Sequence, residues 1–338
     1  MTIESLRLVH FRNYTNALFS FKKGVNVIEG PNGIGKTNLL EALFYLSTGR
    51  SFRTVHPKEL IQEGASFFII EATFVRDEVR QTLKVTFDGS KRKIEHNDNP
   101  SHLLGVLPSV LYSPRDIEFI SGSPSDRRRL FNLYIAQYDR PYVEHLFRYD
   151  KAMRQRNELL RNKMVHSIEL WETEMDRSAH YLKEARLNML RHLPLKETVD
   201  TILNQTFHIT YQPSWQGSLK EVLAKKRERE LLFGSTLFGP HRDDYSLSLQ
   251  NKEVKAFASE GEKRMVMVLF RLAKWRSLNA QLREAPLFGI DDFGIHLDSH
   301  RKKQLEDILK EVPQLFLTTP HADTLVSLEP SQIISLRV

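Results

Sequence analysis

The sequence predicts an α/β protein whose main domain is built from both ends of the chain and interrupted by a helical insertion. Three observations indicate this fold class. A short apolar strand, a glycine loop and a helix follow one another over residues 25–48. A second apolar strand, 286–290, ends in two carboxylates about 250 residues further on. Residues 126–200 between them are charged, helix-rich and poor in glycine, so an insertion explains the separation.

Both ends of the chain alternate between strand, turn and helix signals. The predicted strands lie within 3–21 and at 25–28, 68–74, 83–87, 107–112, 286–290, 315–319 and 333–337. Asp88-Gly89 is a hairpin signal, so residues 67–96 predict antiparallel sheet. Apolar residues recur at helical spacing over 37–47, 265–276 and 300–311. Gly49 suits the left-handed end of the first of these helices.

The composition and the predicted secondary structure of the sequence change near Ser125 and again near Gly234. We therefore predict a head at 1–125 and 234–338 and an inserted helical arm at 126–233. Residues 126–232 hold 20 basic and 15 acidic side chains, so this segment carries +5 of the chain's net charge of +7. Such an excess predicts either simple solubility or a polyanionic partner, namely nucleic acid or an acidic membrane surface.

Composition excludes several classes of protein. The chain has 338 residues and no cysteine, which excludes disulfides, cysteine-bound zinc, iron–sulfur clusters and a thiol nucleophile. Hydrophobic residues make up 41% and charged residues 27%, as in an ordinary globular protein. No apolar run approaches the ~20 residues of a membrane span, and the N-terminus lacks a signal-peptide core. The expectation is a soluble cytoplasmic protein.

A phosphate-binding loop is the most specific motif. Residues 30–37 match GxxxxGK(S/T) between a predicted strand and a predicted helix. The residues expected to hold a nucleotide are Gly30, Pro31, Asn32, Gly33, Ile34, Gly35, Lys36 and Thr37. Backbone amides would cradle phosphate oxygens, Lys36 would reach the β- and γ-phosphates, and the Thr37 hydroxyl would bind Mg²⁺. A glycine turn with an accidental lysine is the alternative, and the flanking strand and helix weigh against it.

Two carboxylates end the apolar strand at 286–290. In a nucleoside triphosphatase, Asp291 would hold Mg²⁺ and Asp292 would polarise the attacking water. Many strands end in aspartate for turn reasons alone, so this pair is informative only because the same chain has a phosphate loop. We predict Asp292 and Lys36 as catalytic residues, and Thr37 and Asp291 as metal ligands.

A serine–glycine turn, Ser259-Glu260-Gly261-Glu262, precedes the predicted helix at 265–276. Its structural interpretation is an N-cap at Ser259, with Glu262 completing a capping box. Its functional interpretation is an anion site, because a serine hydroxyl, a glycine amide and a helix N-terminus meet there. On a partner subunit, such a site would hold the γ-phosphate from the side opposite Lys36.

Six strings occur in an order that resembles a known family. They are LRLVHFRNY, GPNGIGKTNLLEALFYL, TGRSFRT, GPHRDD, SEGEKR and IDD. Together they resemble the RecF family of bacterial recombination mediators, which are ABC-type ATPases related to SMC proteins. The resemblance covers nearly the whole chain. The FRNY, GKTNLLEA and GPHRDD strings are its specific part, because the phosphate loop alone indicates only an NTPase.

The resemblance implies an ABC-type P-loop ATPase head, in which a mixed sheet includes an antiparallel subsheet, and a helical arm in place of a long coiled coil. It implies ATP and Mg²⁺ as cofactors and an ATP-dependent homodimer, in which Ser259 and Gly261 of one subunit face the nucleotide of the other. It also implies binding to gapped, single- and double-stranded DNA, with weak DNA-dependent ATP hydrolysis that resets the dimer. With RecR and RecO, such a protein helps to load RecA in gap repair and replication-fork maintenance.

The resemblance also assigns roles to three further positions. Arg12 lies in the FRNY turn and Asn38 follows the loop threonine, so both are predicted to contact the nucleotide. Asp298 matches an aspartate at the dimer contact, and it is included with Glu262 among the predicted nucleotide-binding residues.

The chain departs from the family pattern at several places. The family usually has glutamine where Ile34 stands, and LSQGQ where this chain has Ala-Ser-Glu-Gly-Glu at 258–262. The two acids would add repulsion beside a γ-phosphate. After the strand at 315–319, the sequence leaves open whether Thr319 or His321 is the switch residue.

Two other functions are compatible with parts of the sequence. A nucleotide-switched module whose partner is another protein, without direct DNA binding, would use the helical arm as its docking surface. A small-molecule kinase would explain the phosphate loop, but it explains neither the serine–glycine turn nor the long insertion.

Overall fold

The computed structural model describes residues 1–164, 166–294 and 298–337. The strands are β1 (Thr2–Phe11), β2 (Tyr14–Ser20), β3 (Gly24–Glu29), β4 (Phe68–Arg76), β5 (Val79–Phe87), β6 (Arg92–His96), β7 (Asn99–Pro100), β8 (Ser109–Tyr112), β9 (Phe207–Gln212), β10 (Asp244–Leu249), β11 (Lys252–Glu253), β12 (Leu287–Ile290), β13 (Gln314–Thr319) and β14 (Gln332–Ser335). The helices are α1 (Lys36–Thr48), α2 (Ile117–Ser121), α3 (Pro124–Ile135), α4 (Arg140–Arg161), α5 (Ile168–Arg191), α6 (Thr201–Leu203), α7 (Leu219–Phe233), α8 (Val254–Phe257), α9 (Glu260–Leu282) and α10 (Ser299–Leu309). Within these ranges, none of the helices combines the length and apolar character that a membrane crossing requires.

The chain forms two compact units. The first unit contains Met1–Asp116 and Glu260–Val338, and the second contains Ile117–Ser259. The predicted head and arm divide instead at 125/126 and 233/234. Strand β10, which follows Gly234, pairs with β9, and this pairing places residues 244–249 in the second unit. The functional division into head and arm stays a prediction.

Two sheets make up the first unit. The antiparallel sheet has the order β2-β1-β4-β5-β6-β7, and the parallel sheet has the order β14-β3-β13-β12-β8. Helix α1 packs against β4 and β5 of the first sheet and against β8 and β13 of the second. Its leucines join a core with the buried apolar side chains of β1, β4 and β5. The predicted mixed α/β fold with an antiparallel subsheet is confirmed.

The parallel sheet brings together segments that are remote in the sequence. Strand β13 lies between β3 and β12, with Glu29 opposite Thr319 and Ile290 opposite Leu317. Because the strands are parallel, their carboxyl ends meet at one edge, where ligands of open α/β sheets bind. The phosphate loop follows β3 and the two carboxylates follow β12, so both lie at this edge.

The helices confirm the predicted periodicity; α1 and α9 are longer than predicted, whereas α10 begins one residue earlier and ends two residues earlier. Helix α1 begins at Lys36, ends at Thr48 and is capped by Gly49, whose φ of 66° is left-handed and whose N–H donates to the Tyr45 carbonyl. Helix α9 extends over 23 residues, and α10 is capped by Asp298, which accepts from the Arg301 amide at 2.9 Å.

The second unit combines helices with a small antiparallel sheet of order β11-β10-β9. The helix-rich character is confirmed, whereas β9 lies in the segment predicted as helical and was not expected. Counted over Ile117–Ser259, this unit has 23 basic and 19 acidic residues, a net charge of +4, and the first unit carries +3. The basic excess is therefore shared almost evenly between the two units.

The GPHRDD string, Gly239–Asp244, packs into the second unit through Gly239, Pro240 and Asp243, which are buried, whereas Arg242 is exposed. The buried Arg186 guanidinium donates to the Asp243 carboxylate at 2.7 Å and to the Pro240 carbonyl at 3.0 Å. Asp244 accepts two hydrogen bonds from Arg127, at 2.7 and 2.9 Å. These contacts tie β10 to α3 and α5, so packing accounts for much of this family-specific string.

His241 of the same string is held inside the unit. Its Nδ1 lies 2.7 Å from the Tyr149 hydroxyl and its Nε2 lies 3.1 Å from the Thr236 carbonyl. Burial lowers the pKa of His241 to about 4. The imidazole is therefore neutral at physiological pH, and its hydrogen bonds serve the fold.

Candidate nucleotide-binding site

The phosphate loop joins β3 to α1 in a conformation that depends on glycine. Gly30, Gly33 and Gly35 have φ of 148°, 83° and 120°, a region that other residues rarely adopt. A Cβ on Gly35 would lie 2.7 Å from the Asn13 amide nitrogen and 2.9 Å from the Tyr14 hydroxyl. The loop therefore has the tight backbone that phosphate binding requires.

Lys36 folds back over this loop. Its ammonium donates to the Gly30 carbonyl at 2.6 Å and to the Pro31 carbonyl at 2.9 Å. Burial lowers the pKa of Lys36, while the charges of Asp292 and Asp291 act in the opposite direction. The ammonium thus lies within the loop and within electrostatic reach of both carboxylates, and its predicted contact with phosphates stays a prediction.

Thr37 and Asp291 are in direct contact, although 254 residues separate them. The Thr37 hydroxyl lies 2.9 and 3.0 Å from the two Asp291 carboxylate oxygens. Asp291 is buried, and this burial raises the pKa of its carboxyl to about 6. Hydrogen bonds from Thr318 and Thr37 lower that pKa, and the charge of Asp292 raises it.

The chemistry of this contact suits Mg²⁺. Mg²⁺ prefers oxygen donors and is usually held by one or two protein side chains together with substrate phosphates and water. The Thr37 hydroxyl and the Asp291 carboxylate supply such oxygens at the mouth of the phosphate loop. Within the described ranges, no group of three or more histidines and carboxylates forms a metal site of its own. Thr37 and Asp291 would hold the ion, which would neutralise phosphate charge.

Asp292 adopts an unusual backbone conformation. Its φ of 53° lies in the left-handed region, and its N–H donates to the Thr318 hydroxyl at 2.8 Å. The next amide, of Phe293, donates to the Thr318 carbonyl at 2.8 Å. The chain therefore turns sharply at the end of β12, and the half-buried Asp292 lies close enough to Lys36 to affect its pKa.

The FRNY turn between β1 and β2 supports the phosphate loop from outside. The Asn13 side-chain amide donates to the Ile34 carbonyl at 2.7 Å, and the Tyr14 hydroxyl donates to the Gly35 carbonyl at 3.0 Å. Burial raises the pKa of Tyr14, which keeps this hydroxyl protonated. Asn38 donates to Asn13 at 2.7 Å, so the residue after the loop threonine joins the same network.

Arg12 is held by a buried carboxylate in α1. Its guanidinium donates twice to Glu41, at 2.9 and 2.8 Å, and once to the Glu59 carbonyl at 2.9 Å. The Ser51 hydroxyl also donates to Glu41, and Arg53 lies 3.6 Å from the same carboxylate. Arg12 and Arg53 line an open pocket of about 520 Å³. The predicted contact between Arg12 and nucleotide stays a prediction.

The serine–glycine turn lies at the start of α9. Ser259 is exposed and immediately precedes the helix, while Gly261 and Glu262 are in its first turn. Asp298 serves as the N-cap of α10. The predicted roles of these four residues involve a second copy of the chain, so they stay predictions.

The switch segment follows β13. The buried Thr319 hydroxyl donates to the His321 carbonyl at 3.2 Å, and His321 itself is exposed. The Glu29 carboxylate accepts from the Ala322 amide at 2.9 Å, which ties this segment to the end of β3. The choice between Thr319 and His321 as switch residue stays open.

Several residues of the site were not singled out by sequence reasoning. They are Asn13, Tyr14, Glu41, Arg53 and Thr318. Asn13 and Tyr14 stand beside Arg12 in the FRNY string, so that string was the available signal. Glu41 interrupts the apolar pattern of α1. That interruption can be recognised as a buried charge only when its partners are known.

Comparison with known proteins places this geometry in a family. The model of the RecF/RecN/SMC N-terminal domain matches residues 2–336. A relative named DNA replication and repair protein RecF, from Protochlamydia amoebophila, is 41% identical over 94% of each chain. A solved structure described as the recombination mediator protein RecF–ATP in the RecFOR pathway superposes with a TM-score of 0.88 at 28% identity. That match covers 96% of this chain and 93% of the other.

An SMC head bound to the C-terminal winged-helix domain of ScpA shares the fold. Its TM-score is 0.55 at 18% identity, over 96% of this chain and 92% of that one. The predicted ABC-type ATPase head is therefore the fold class that the structural neighbours show. The family model, the level of identity and the coverage agree: the chain belongs to the RecF family, within the wider group of RecF, RecN and SMC proteins.

Proposed function

We propose that the chain is an ATP-dependent, DNA-binding recombination mediator that acts in gap repair and replication-fork maintenance. One observation carries the proposal. The phosphate loop, the Thr37–Asp291 contact and the adjacent Asp292 form one polar site at the carboxyl edge of the parallel sheet. Membership of the RecF family supports the same conclusion, because a related solved structure is described as an ATP complex of a recombination mediator.

The residues of the site would divide the work of ATP hydrolysis. The loop amides and the Lys36 ammonium bind and orient the phosphates, and the lysine neutralises charge that develops on the γ-phosphate. Thr37 and Asp291 would hold Mg²⁺, which would screen the phosphate charges. Asp292 orients the attacking water and accepts its proton. Asn13 and Tyr14 keep the loop carbonyls in place, so that the loop amides face the phosphates.

The proposed switch is ATP-dependent dimerisation. Ser259, Gly261 and Glu262 of a second copy would contact the γ-phosphate held by Lys36, so that ATP bridges two subunits. Pairing also doubles the net charge from +7 to about +14, which strengthens attraction to a polyanion. Slow hydrolysis, stimulated by DNA, would remove the bridge and release the dimer. RecR, RecO and RecA are the proposed partners in the pathway.

Sedimentation and DNA binding test this proposal together. The mass of the wild-type protein and its affinity for gapped, single-stranded and duplex DNA are measured with ATP, with ADP and without nucleotide. We expect an ATP-dependent dimer whose DNA affinity falls as salt rises, because phosphate contacts release counterions. Lys36→Met removes the phosphate-binding ammonium and should abolish both effects. Lys23→Met, at an exposed lysine of the same unit, is the matched control.

The dimer contact has its own pair of variants. Ser259→Arg should leave ATP binding to one subunit intact and abolish the dimer, because the arginine fills the space for the facing phosphate. Ser90→Arg adds the same charge at an exposed turn and controls for it. A chain with neither an ATP-dependent dimer nor an ATP effect on DNA affinity would refute the proposal. ATP-dependent binding to a protein partner without DNA affinity would favour the interaction-module alternative.

A further inference from the structure

One hydroxyl connects the two carboxylates of the site. Thr318 is fully buried near the end of β13, and its hydroxyl donates to the Asp291 carboxylate at 2.7 Å. The same oxygen accepts the N–H of Asp292 at 2.8 Å. A hydroxyl has one proton to donate and lone pairs with which to accept, so this arrangement uses both capacities at once.

These bonds hold the two residues that directly follow β12. Asp292 has left the strand with a φ of 53°, a conformation that non-glycine residues hold only when the surroundings favour it. The Thr318 hydroxyl supplies an acceptor for the amide at that point. Asp291 is held from two sides, by Thr37 at the start of α1 and by Thr318 on β13. Its carboxylate therefore has little freedom to rotate.

The neighbouring threonine shows that the contact is specific. Thr319 is also buried, but its hydroxyl donates to the His321 carbonyl at 3.2 Å. Successive side chains of a strand point to opposite faces, so only one of the two threonines can meet the carboxylates. The register that pairs Ile290 with Leu317 selects Thr318.

We propose that Thr318 is a positioning residue for ATP hydrolysis. Its hydroxyl sets the direction in which Asp291 presents its oxygens beside Thr37, and it fixes the backbone from which the Asp292 carboxylate projects. This inference rests on the proposed function, since it assigns Asp291 to the metal and Asp292 to the water. Residues that orient metal ligands in this way usually change metal affinity or activity when they are replaced.

The test compares three full-length proteins with wild type. Thr318→Val removes the hydroxyl at nearly constant shape, and Thr318→Ser restores it. Thr48→Val is the matched control, because Thr48 is another buried threonine of the same unit whose hydroxyl bonds to the Phe44 carbonyl at 3.1 Å. Three quantities are measured: affinity for a fluorescent ATP analogue in EDTA, Mn²⁺ affinity of the ATP complex by electron paramagnetic resonance, and kcat with KM.

We expect Thr318→Val to weaken Mn²⁺ binding or kcat by about 10–100-fold, with ATP affinity in EDTA unchanged within about twofold. Thr318→Ser and Thr48→Val should stay within about threefold of wild type in all three measurements. If thermal melting shows that the valine variant does not fold, Thr318→Ala makes the same contrast with serine. The split between metal-dependent and metal-free measurements distinguishes positioning from general damage to the loop.

Three results would overturn the inference alone. In the first, the valine variant matches wild type in Mn²⁺ affinity and kcat. In the second, serine is no better than valine, so the hydroxyl is irrelevant. In the third, ATP affinity in EDTA falls as much as metal affinity. A wild-type protein that binds no Mn²⁺–ATP would instead overturn the proposed function, and the inference with it.

Discussion

Replacing Glu41 by glutamine tests whether the carboxylate in α1 holds the arginines beside the phosphate loop. Glu41 is fully buried and accepts two of the three hydrogen bonds of Arg12, together with one from the Ser51 hydroxyl. Glutamine keeps the shape of the side chain, but it removes the negative charge and turns an amide donor toward a guanidinium. Glu41→Gln therefore leaves Arg12 with at most one of its two carboxylate bonds and leaves Arg53 without its counterion.

The expected loss of stability follows from the exposure of each partner. Removing one partner of a buried ion pair costs about 3–5 kcal/mol. The side chains of Arg12 and Arg53 are 17% and 34% exposed, so water compensates in part for the lost charge of Glu41. We expect a loss of about 2–3 kcal/mol. In a unit of about 200 residues, this lowers the melting temperature by about 4–12 °C.

A tryptophan reports on the relevant unit. Trp275 is buried in the first unit, where its indole N–H donates to the Pro286 carbonyl at 2.8 Å. Thermal unfolding is followed by its fluorescence in a background that carries Trp171→Phe and Trp215→Phe, because both of those residues lie in the second unit.

The control for this experiment is an exposed ion pair in the same unit. Glu4 lies 2.9 Å from Arg80, and their side chains are 40% and 72% exposed. Glu4→Gln should cost less than about 1 kcal/mol, as exposed pairs do. The reasoning is refuted if Glu41→Gln melts at the wild-type temperature, or if both variants lose the same amount.

Three further predictions concern other contacts. Burial lowers the pKa of His241 to about 4, below its value in the unfolded chain. The free energy of unfolding of the second unit should therefore fall by up to about 2 kcal/mol as pH falls from 7 to 5. In urea titrations, His241→Gln should reduce this pH dependence, and an unchanged dependence would contradict the prediction. Gly239→Ala should lower the free energy of unfolding by about 2–4 kcal/mol, because φ is 126° and a Cβ would overlap the Tyr149 hydroxyl. Gly217 has open space around it, so Gly217→Ala should lower the same quantity clearly less in the same urea titration. Tyr14→Phe loses its bond to a loop carbonyl and should weaken ATP binding by about 2–10-fold in a fluorescence titration; wild-type affinity would show that the turn does not support the loop.

Much of the candidate site could be predicted because its motif is local. The phosphate loop needs only a strand, glycines and a helix in sequence, and Asp291 with Asp292 needed only the assumption of a shared sheet. Thr318 could not be separated from Thr319 by sequence, because only the strand register decides which hydroxyl faces Asp291. The partners of Glu41 lie up to 29 residues away, and no periodicity connects them.

The limits of the fold prediction have a similar cause. Strand β9 is six residues long and lies among helices, and its partner β10 begins 32 residues after β9 ends. The local sequence pattern of such a short strand is weaker than the helical pattern of the residues around it. Because β10 pairs with β9, the second unit extends beyond Gly234, where the composition already resembles that of the first unit.

The interior position of β3 in the parallel sheet also determines when the first unit can be completed during translation. Strand β3 is hydrogen-bonded on one side to β13 and on the other to β14, both from the last 25 residues of the chain. At roughly 5–20 residues per second, the ribosome makes β13 about 15–60 s after β3. The second unit is one continuous segment and is synthesised entirely in that interval. The phosphate loop therefore acquires its supporting sheet only after β13 and β14 have been made, so a chain that lacks these strands would display the motif without the structure that shapes it.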